Sequence, residues 1–194
     1  MRASRRTATV TKREKHYTPV RDVRGSRYTL RMPSWVVSED IIPQPVIRRA
    51  NVHDLPRVVA LIAGGALGEP SARDASLPPA QSCYDAFAAI DAAPDNELMV
   101  ADYDGRVIGT LQFTVFTHIQ HGGGRVAQIE FVHVDAAMRG KKIGEAMVRW
   151  AIDEARRRGC FRIQLTSNTA RMDARGFYEQ LGFVASHAGF ELML

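Results

Sequence analysis

Residues 129–158 read IEFVHVDAAMRGKKIGEAMVRWAIDEARRR, and the pattern changes twice along them. Ile129, Phe131, Val132 and Val134 form an apolar run of strand length, interrupted by Glu130 and His133. From Ile143 onward the spacing becomes helical: Ile143, Met147, Trp150, Ala151 and Ala155 recur at intervals of three and four on one stripe. Glu145 in the first turn and Arg156, Arg157 and Arg158 in the last suit the helix dipole, and Gly159 suits a C-terminal stop. Between strand and helix lie Arg139, Gly140, Lys141, Lys142, Ile143 and Gly144. A turn that opens a helix directs backbone N–H groups forward, and the arginine and lysines add positive charge, so the stretch predicts an anion site. Glycine loops are weakly specific, and a basic helix start that binds nothing would be spelled in the same way.

Working outward, residues 97–101 predict a strand, Asp104-Gly105 a tight hairpin turn, and 106–117 a long alternating strand in which Gly109 marks a bulge or a close approach. Residues 118–125, with three consecutive glycines, form a flexible connection; because a strand follows, this is no phosphate loop. Earlier in the chain, 46–49 predicts a first strand and 51–62 a helix with Asp54 as N-cap and Pro56 in its first turn. Residues 64–79 predict a loop or broken helix, and 81–92 a helix with Tyr84, Phe87, Ala88 and Ile90 apolar. Past the opening stretch come a strand at 161–165, a polar loop at 166–172, a helix at 173–181 stopped by Gly182, and a closing pair of strands over 183–194. The order β-α-α-β-β-β-α-β-α-β-β is not the alternation of a doubly wound fold. It predicts an α/β (α+β) domain with a mixed, mostly antiparallel sheet of about seven strands and about four helices.

Net charge +5 is unevenly placed. Residues 1–44 hold ten of the 26 Lys and Arg but only four of the 21 acidic residues, which leaves 16 against 17 for the rest. Residues 1–44 therefore predict a basic, partly disordered extension, and 45–194 the folded domain. Nucleic-acid binding is not expected of this arm, since a solvated arm is the commoner meaning of such composition. An alternative is a start at Met32. Trp35, Val36, Val37, Ile41 and Ile42 are expected to cover the body or a second subunit. No apolar run approaches the ~20 residues of a membrane span. Cys83 and Cys160 are the only cysteines and no secretory signal is seen, so a cytoplasmic home without disulfides is expected. His118 and His121 are three apart, but no acidic or cysteine partner is near, and no metal is expected.

The stretch from Arg139 to Gly144 resembles the acyl-CoA signature of the GCN5-related N-acetyltransferases (GNAT), Arg/Gln-x-x-Gly-x-Gly/Ala. Arg139 and Gly144 match its ends, and Lys142 stands where its first glycine usually is. Phe177-Tyr178-Glu179-Gln180-Leu181-Gly182-Phe183 is similar to the family's second signature, aromatic-Tyr-Glu-x-x-Gly-Phe. The resemblance runs from Val46 to Leu194 and implies the GNAT acyl-CoA N-acyltransferase fold, with acetyl-CoA as cosubstrate and coenzyme A as product.

The resemblance also implies roles. The β backbone of Val132, His133 and Val134 would polarise the thioester carbonyl and pair with the pantetheine arm, beside a bulge where the strand leaves its neighbour. Arg139, Gly140, Lys141, Lys142, Ile143 and Gly144 would hold the pyrophosphate, and Asn168 would touch the cofactor, although the more usual asparagine position is Arg171 here. Tyr178 would protonate the leaving thiolate and also contact the cofactor. Glu130, costly to bury without a task or partner, is the candidate base; pairing with a buried arginine is the alternative. His133 is the rival base, and regular alternation would place it on the opposite face from Glu130. The run Gln164-Leu165-Thr166-Ser167-Asn168 with Arg171, Asp173-Ala174 and Phe177-Tyr178 resembles bacterial small-molecule acetyltransferases, aminoalkylphosphonate enzymes among them. The implied partners are a small-molecule primary amine and a second copy in a homodimer. Arg171 and Arg175 would face an anionic acceptor or solvent. A non-catalytic acyl-CoA-binding module and a protein N-terminal or lysine acetyltransferase are the alternatives.

Overall fold

The computed structural model describes residues 44–65 and 78–193. The expectations for the basic arm, its apolar stretch and most of the loop over 64–79 lie outside the described residues. In chain order the elements are β1 (Val46–Arg49), α1 (Leu55–Gly65), α2 (Gln81–Ala92), β2 (Asn96–Tyr103), β3 (Arg106–Thr117), the single turn α3 (Gln120–Gly123), β4 (Arg125–Val134), α4 (Ile143–Arg157), β5 (Cys160–Leu165) and α5 (Met172–Gln180). The strands form one sheet in the order β1-β2-β3-β4-β5, antiparallel except for the parallel β4–β5 pair. α4 is the crossover that a parallel pair requires.

Local chemistry accounts for most boundaries. Asp104 and Gly105 both have positive φ, 53° and 75°, as the tight β2–β3 turn demands. Gly109 is a close approach: a Cβ there would lie 2.8 Å from Met147 Sδ. Ahead of α1, Asn51 rather than Asp54 is the N-cap; its side chain accepts from His53 N at 2.9 Å, while Asp54 reaches back to Asn51 N at 2.8 Å. This capping box places the acidic residue three positions later than the cap.

The sheet buries its two faces differently. On one, Ile143, Met147, Val148, Ala151 and Ala155 of α4 pack on Met99, Leu111, Phe113, Val115, Ala127 and Ile129. Each large side chain fully buried there contributes about 1.5–3 kcal/mol. Trp150 meets Phe113 edge-on at 5.7 Å. At the C-terminal end of α4, Glu154 accepts from Arg157 Nε at 2.7 Å and Arg158 Nε at 2.6 Å, and Arg158 also pairs with Glu97 on β2. On the other face α1 and α2 cover Leu98, Val100 and Val107.

Five strands, not seven, form among the described residues. Residues 183–193 make no ladder, and Val184, Phe190, Leu192 and Met193 are exposed. Alternation supplies a face to bury but does not supply a partner, and β5 keeps an unpaired outer edge among the described residues.

Candidate active site

The centre of the site is a break in β4. Phe131 has φ 52°, in the left-handed region where a side chain is strained, and the β3–β4 register shifts there: Gln112 faces Glu130, while Thr110 faces His133. Two residues of β4 thus stand opposite Leu111, a β-bulge. Cross-strand partners share a face, so Glu130 and His133, opposite Gln112 and Thr110, lie on the same side of the sheet. The expectation that they lie on opposite faces is corrected by this one extra residue. Val132 and Val134 turn the other way, against the α4 core.

β4 also leaves its other neighbour here. Pairing with β5 ends at Ile129↔Leu165. Among the described residues, the β5-facing edge is open from Glu130 to Val134, and its N–H and C=O groups can pair with an extended ligand.

The open edge leads to the basic turn. Asp135 caps the turn Ala136–Met138, accepting from Ala137 N at 2.9 Å, and is clamped by Arg57 of α1 and by Arg106 of β3 at 3.3 Å. The Ala137 N–H bond and the two guanidinium groups hold the Asp135 carboxyl below its usual range. Gly140 and Lys142 both have left-handed φ, 75° and 60°. Lys142 is the N-cap of α4 and makes no side-chain cap; the first N–H to find a backbone acceptor is that of Ala146, on Lys142 O at 3.0 Å. The N–H groups of Ile143, Gly144 and Glu145 therefore have no backbone acceptor among the described residues and can meet an anion. They border a cleft of about 310 Å³ lined by Val134, Met138, Arg139, Gly140, Lys142, Ile143, Gly144, Glu145 and Phe177, in which the Glu145 carboxylate is paired with Arg149 at 2.8 Å. Arg139, Lys141 and Lys142 are exposed around it. The donor set and charge fit a pyrophosphate, and a Cβ on Gly144 would sit 3.6 Å from Phe177 Cζ, in ordinary contact. A larger hollow of about 560 Å³ lies beside Arg48 and Asp102 at the far edge of the sheet, where those charges already pair at 2.9 Å.

α5 brings Tyr178 to the site. The ring is packed between Phe177, at 5.0 Å, and Phe183, at 5.8 Å. Burial pushes the phenol above its usual value, opposed by the charge of Arg171, so it stays protonated at neutral pH. Arg171, just before α5, donates to the carbonyl of Gly65 at the end of α1. His133 packs against that same glycine, where a Cβ would collide with the ring. Burial first, then Arg171 and Arg139, lower the His133 pKa, so the imidazole is neutral. Glu130 accepts from Gln128 Nε2 at 3.0 Å rather than from a buried arginine.

Asn168 is exposed, and its Oδ1 is occupied by Ala170 N at 2.9 Å within the turn before α5. Arg175 faces solvent and pairs with Glu179 at 2.9 Å. Sequence reasoning missed Asp135 and Gln128. The first carries a legible signal, an aspartate two residues before a free N–H at a turn; the second becomes visible only once strand register is known.

The model of the acetyltransferase (GNAT) family matches residues 70–183. An aminoalkylphosphonate N-acetyltransferase of Salmonella typhimurium is 32% identical over 152 residues, covering 78% of this chain and 93% of its own length. A glucosamine 6-phosphate N-acetyltransferase of Trypanosoma brucei brucei is 32% identical over 90 residues, 46% of this chain and 59% of its own. The crystal structure of a transcriptional regulator from Bacillus halodurans C-125 superposes with a TM-score of 0.74 at 40% identity, over 78% of this chain and all of that one. The family match over most of the chain and the 32% identity to an N-acetyltransferase spanned nearly end to end, on a mixed sheet with one parallel pair, carry the conclusion: the chain is an acyltransferase enzyme and belongs to the GNAT acetyltransferase family.

Proposed function

We propose that the enzyme transfers the acetyl group of acetyl-CoA to the primary amine of a small molecule, by direct attack while both are bound. The observation that carries this is the open β4 edge, which runs from Glu130 to the free N–H groups at the start of α4. Acetyl-CoA supplies the activated acetyl thioester. The turn from Arg139 to Gly144 holds its pyrophosphate, and the backbone N–H groups of Val132 to Val134 orient the arm and polarise the carbonyl. Glu130 takes a proton from the incoming amine, directly or through water. Tyr178, protonated because it is buried, gives its proton to the departing sulfur.

The acceptor is further read as an amine that also bears a phosphonate or phosphate. Arg171 supports this, since its charge acts on both His133 and Tyr178, and two of the relatives are named for such acceptors. Asn168, whose Oδ1 already accepts from Ala170 N, has its amide N–H groups for a cofactor contact. A homodimer in the cytoplasm completes the reading; the unpaired β5 edge and the exposed apolar residues of 184–193 support a second copy. Among the described residues, no helix is long and apolar enough to cross a membrane.

A second reading, an acyl-CoA-responsive regulatory module, is favoured by the 40%-identical transcriptional regulator. Titration calorimetry with acetyl-CoA, followed by thiol release over a panel of amines that includes 2-aminoethylphosphonate and glucosamine 6-phosphate, separates the two. Binding with turnover of an anionic amine is the expected result. Binding without turnover of any amine would favour the module.

A further inference from the structure

The sheet face that carries Glu130 is apolar at Leu98, Val100 and Val107, under α1 and α2, and polar around Glu130 itself. Register sets Leu98, Gln112 and Glu130 in one row, and Asn96, Thr114, Gln128 and Gln164 in the next. The polar members divide into two separate sets. Asn96 Oδ1 accepts from Gln112 Nε2 at 3.0 Å and from Thr114 Oγ1 at 3.1 Å. Gln164 Nε2 donates to Gln128 Oε1 at 3.0 Å, and Gln128 Nε2 donates to Glu130 Oε1 at 3.0 Å.

The second set has a direction imposed by its end. An ionised carboxylate only accepts, so Gln128 must turn its NH2 group toward Glu130. Its carbonyl oxygen then points toward β5 and can only be met by a donor, which fixes the Gln164 amide as well. The anchors lie where the sheet is complete: Gln128 has Thr114 on one side and Gln164 on the other. Glu130 lies where it is not, one residue before Phe131 and one beyond the last β4–β5 pair.

We infer that Gln128, itself held by Gln164, is a positioning residue for Glu130. It fixes one carboxylate oxygen from the fully paired sheet and leaves Oε2 turned to the amine. The inference rests on the proposed role of Glu130 as base. A side chain at the rim of a break in the ladder would otherwise sample several rotamers, and misplacement of a catalytic group by about 1 Å can cost roughly 10²-fold in rate.

The test is a mutant cycle of Gln128→Met, Glu130→Gln and the double variant, with Gln164→Met beside them. Methionine keeps the volume and removes the hydrogen bond. Turnover is read with acetyl-CoA and 2-aminoethylphosphonate, or the panel amine that is acetylated fastest, with melting curves to confirm folding. Gln128→Met should lower kcat by roughly 10- to 10²-fold with an unchanged KM for acetyl-CoA. In the Glu130→Gln background the same change should alter kcat less than about twofold. Equal losses in both backgrounds, or none in either, would overturn the positioning role while leaving an impaired Glu130→Gln to support the base. A fully active Glu130→Gln would remove the base and the positioning role together. Without any substrate, the side-chain amide resonance of Gln128, identified by its loss in Gln128→Met, should shift in both Glu130→Gln and Gln164→Met. A resonance indifferent to both variants would show that the chain of bonds is absent, and the inference would fall.

Discussion

Glu130 and His133 stand on the same face of β4, three residues apart, because the strand takes one extra residue between them. Both candidate bases therefore reach the same side of the sheet, and the choice between them rests on surroundings. His133 is packed against Gly65 under the charge of Arg171, whereas Glu130 lies at the head of an amide chain.

Glu130→Gln should reduce kcat by roughly 10²–10⁴ at neutral pH, with part of the loss recovered at high pH where the amine is already deprotonated. His133→Gln should cost less than about tenfold. The reverse ranking in steady-state kinetics would assign the base to His133.

Tyr178→Phe should lower kcat by roughly 10²–10⁴ with little change in acetyl-CoA affinity by calorimetry. Burial raises the phenol above its usual value, so the acid form persists through neutral and mildly alkaline pH. The contribution of Tyr178 should accordingly fade only above about pH 10. A full-rate Tyr178→Phe would mean that water protonates the sulfur.

Gly144→Ala should fold and bind acetyl-CoA within a few-fold of the parent, because its Cβ would meet Phe177 and Val134 at 3.6 and 3.7 Å. Gly144→Glu should abolish binding, since it puts bulk and a negative charge into the cleft. Undiminished affinity of a folded Gly144→Glu in calorimetry would place the cofactor elsewhere.

Glu154 is held at a pKa of about 2, chiefly by its bonds to Arg157 and then Arg158 against the cost of burial. A depressed carboxylate contributes stability that is complete above its unfolded value, near 4.5, and is lost as pH falls toward 2. Glu154→Gln should therefore melt lower than the parent at pH 7, and the gap should narrow from about pH 4.5 downward. A gap independent of pH would leave the carboxylate no electrostatic part in stability.

The parts of this molecule legible in the sequence are those governed by near neighbours. The helical stripe from Ile143 to Ala155, the Asp104-Gly105 turn and the first strand at Val46–Arg49 follow from periods and turn chemistry within a few residues. So does the basic turn from Arg139 to Gly144, including the position at which Lys142 replaces the family's usual glycine. Its φ of 60° shows why glycine suits that place. Parts that depend on pairing were not legible. Counting by twos fails at Phe131: the resemblance implies a bulge beside Val132, but nothing in FVHV says which residue is the extra one. Asp135 finds Arg57 78 residues away, and Gln164 meets Gln128 only through a parallel ladder. The closing strands show the same division: Phe190 and Leu192 alternate as a strand should, yet alternation does not say against which edge.

That unpaired edge bears on how the protein behaves in a tube. Among the described residues, nothing covers the outer rim of β5 or the side chains of Val184, Phe190, Leu192 and Met193. Such a rim is adhesive, and a specific partner is what keeps it from indiscriminate pairing. With a second copy as that partner, folding and assembly become linked by mass action, so the melting temperature should climb with protein concentration, and light scattering should lose the dimer when residues 184–194 are removed. A melting temperature constant over a hundredfold dilution would mean that each copy shields its own rim, and dilute stocks would then be as long-lived as concentrated ones.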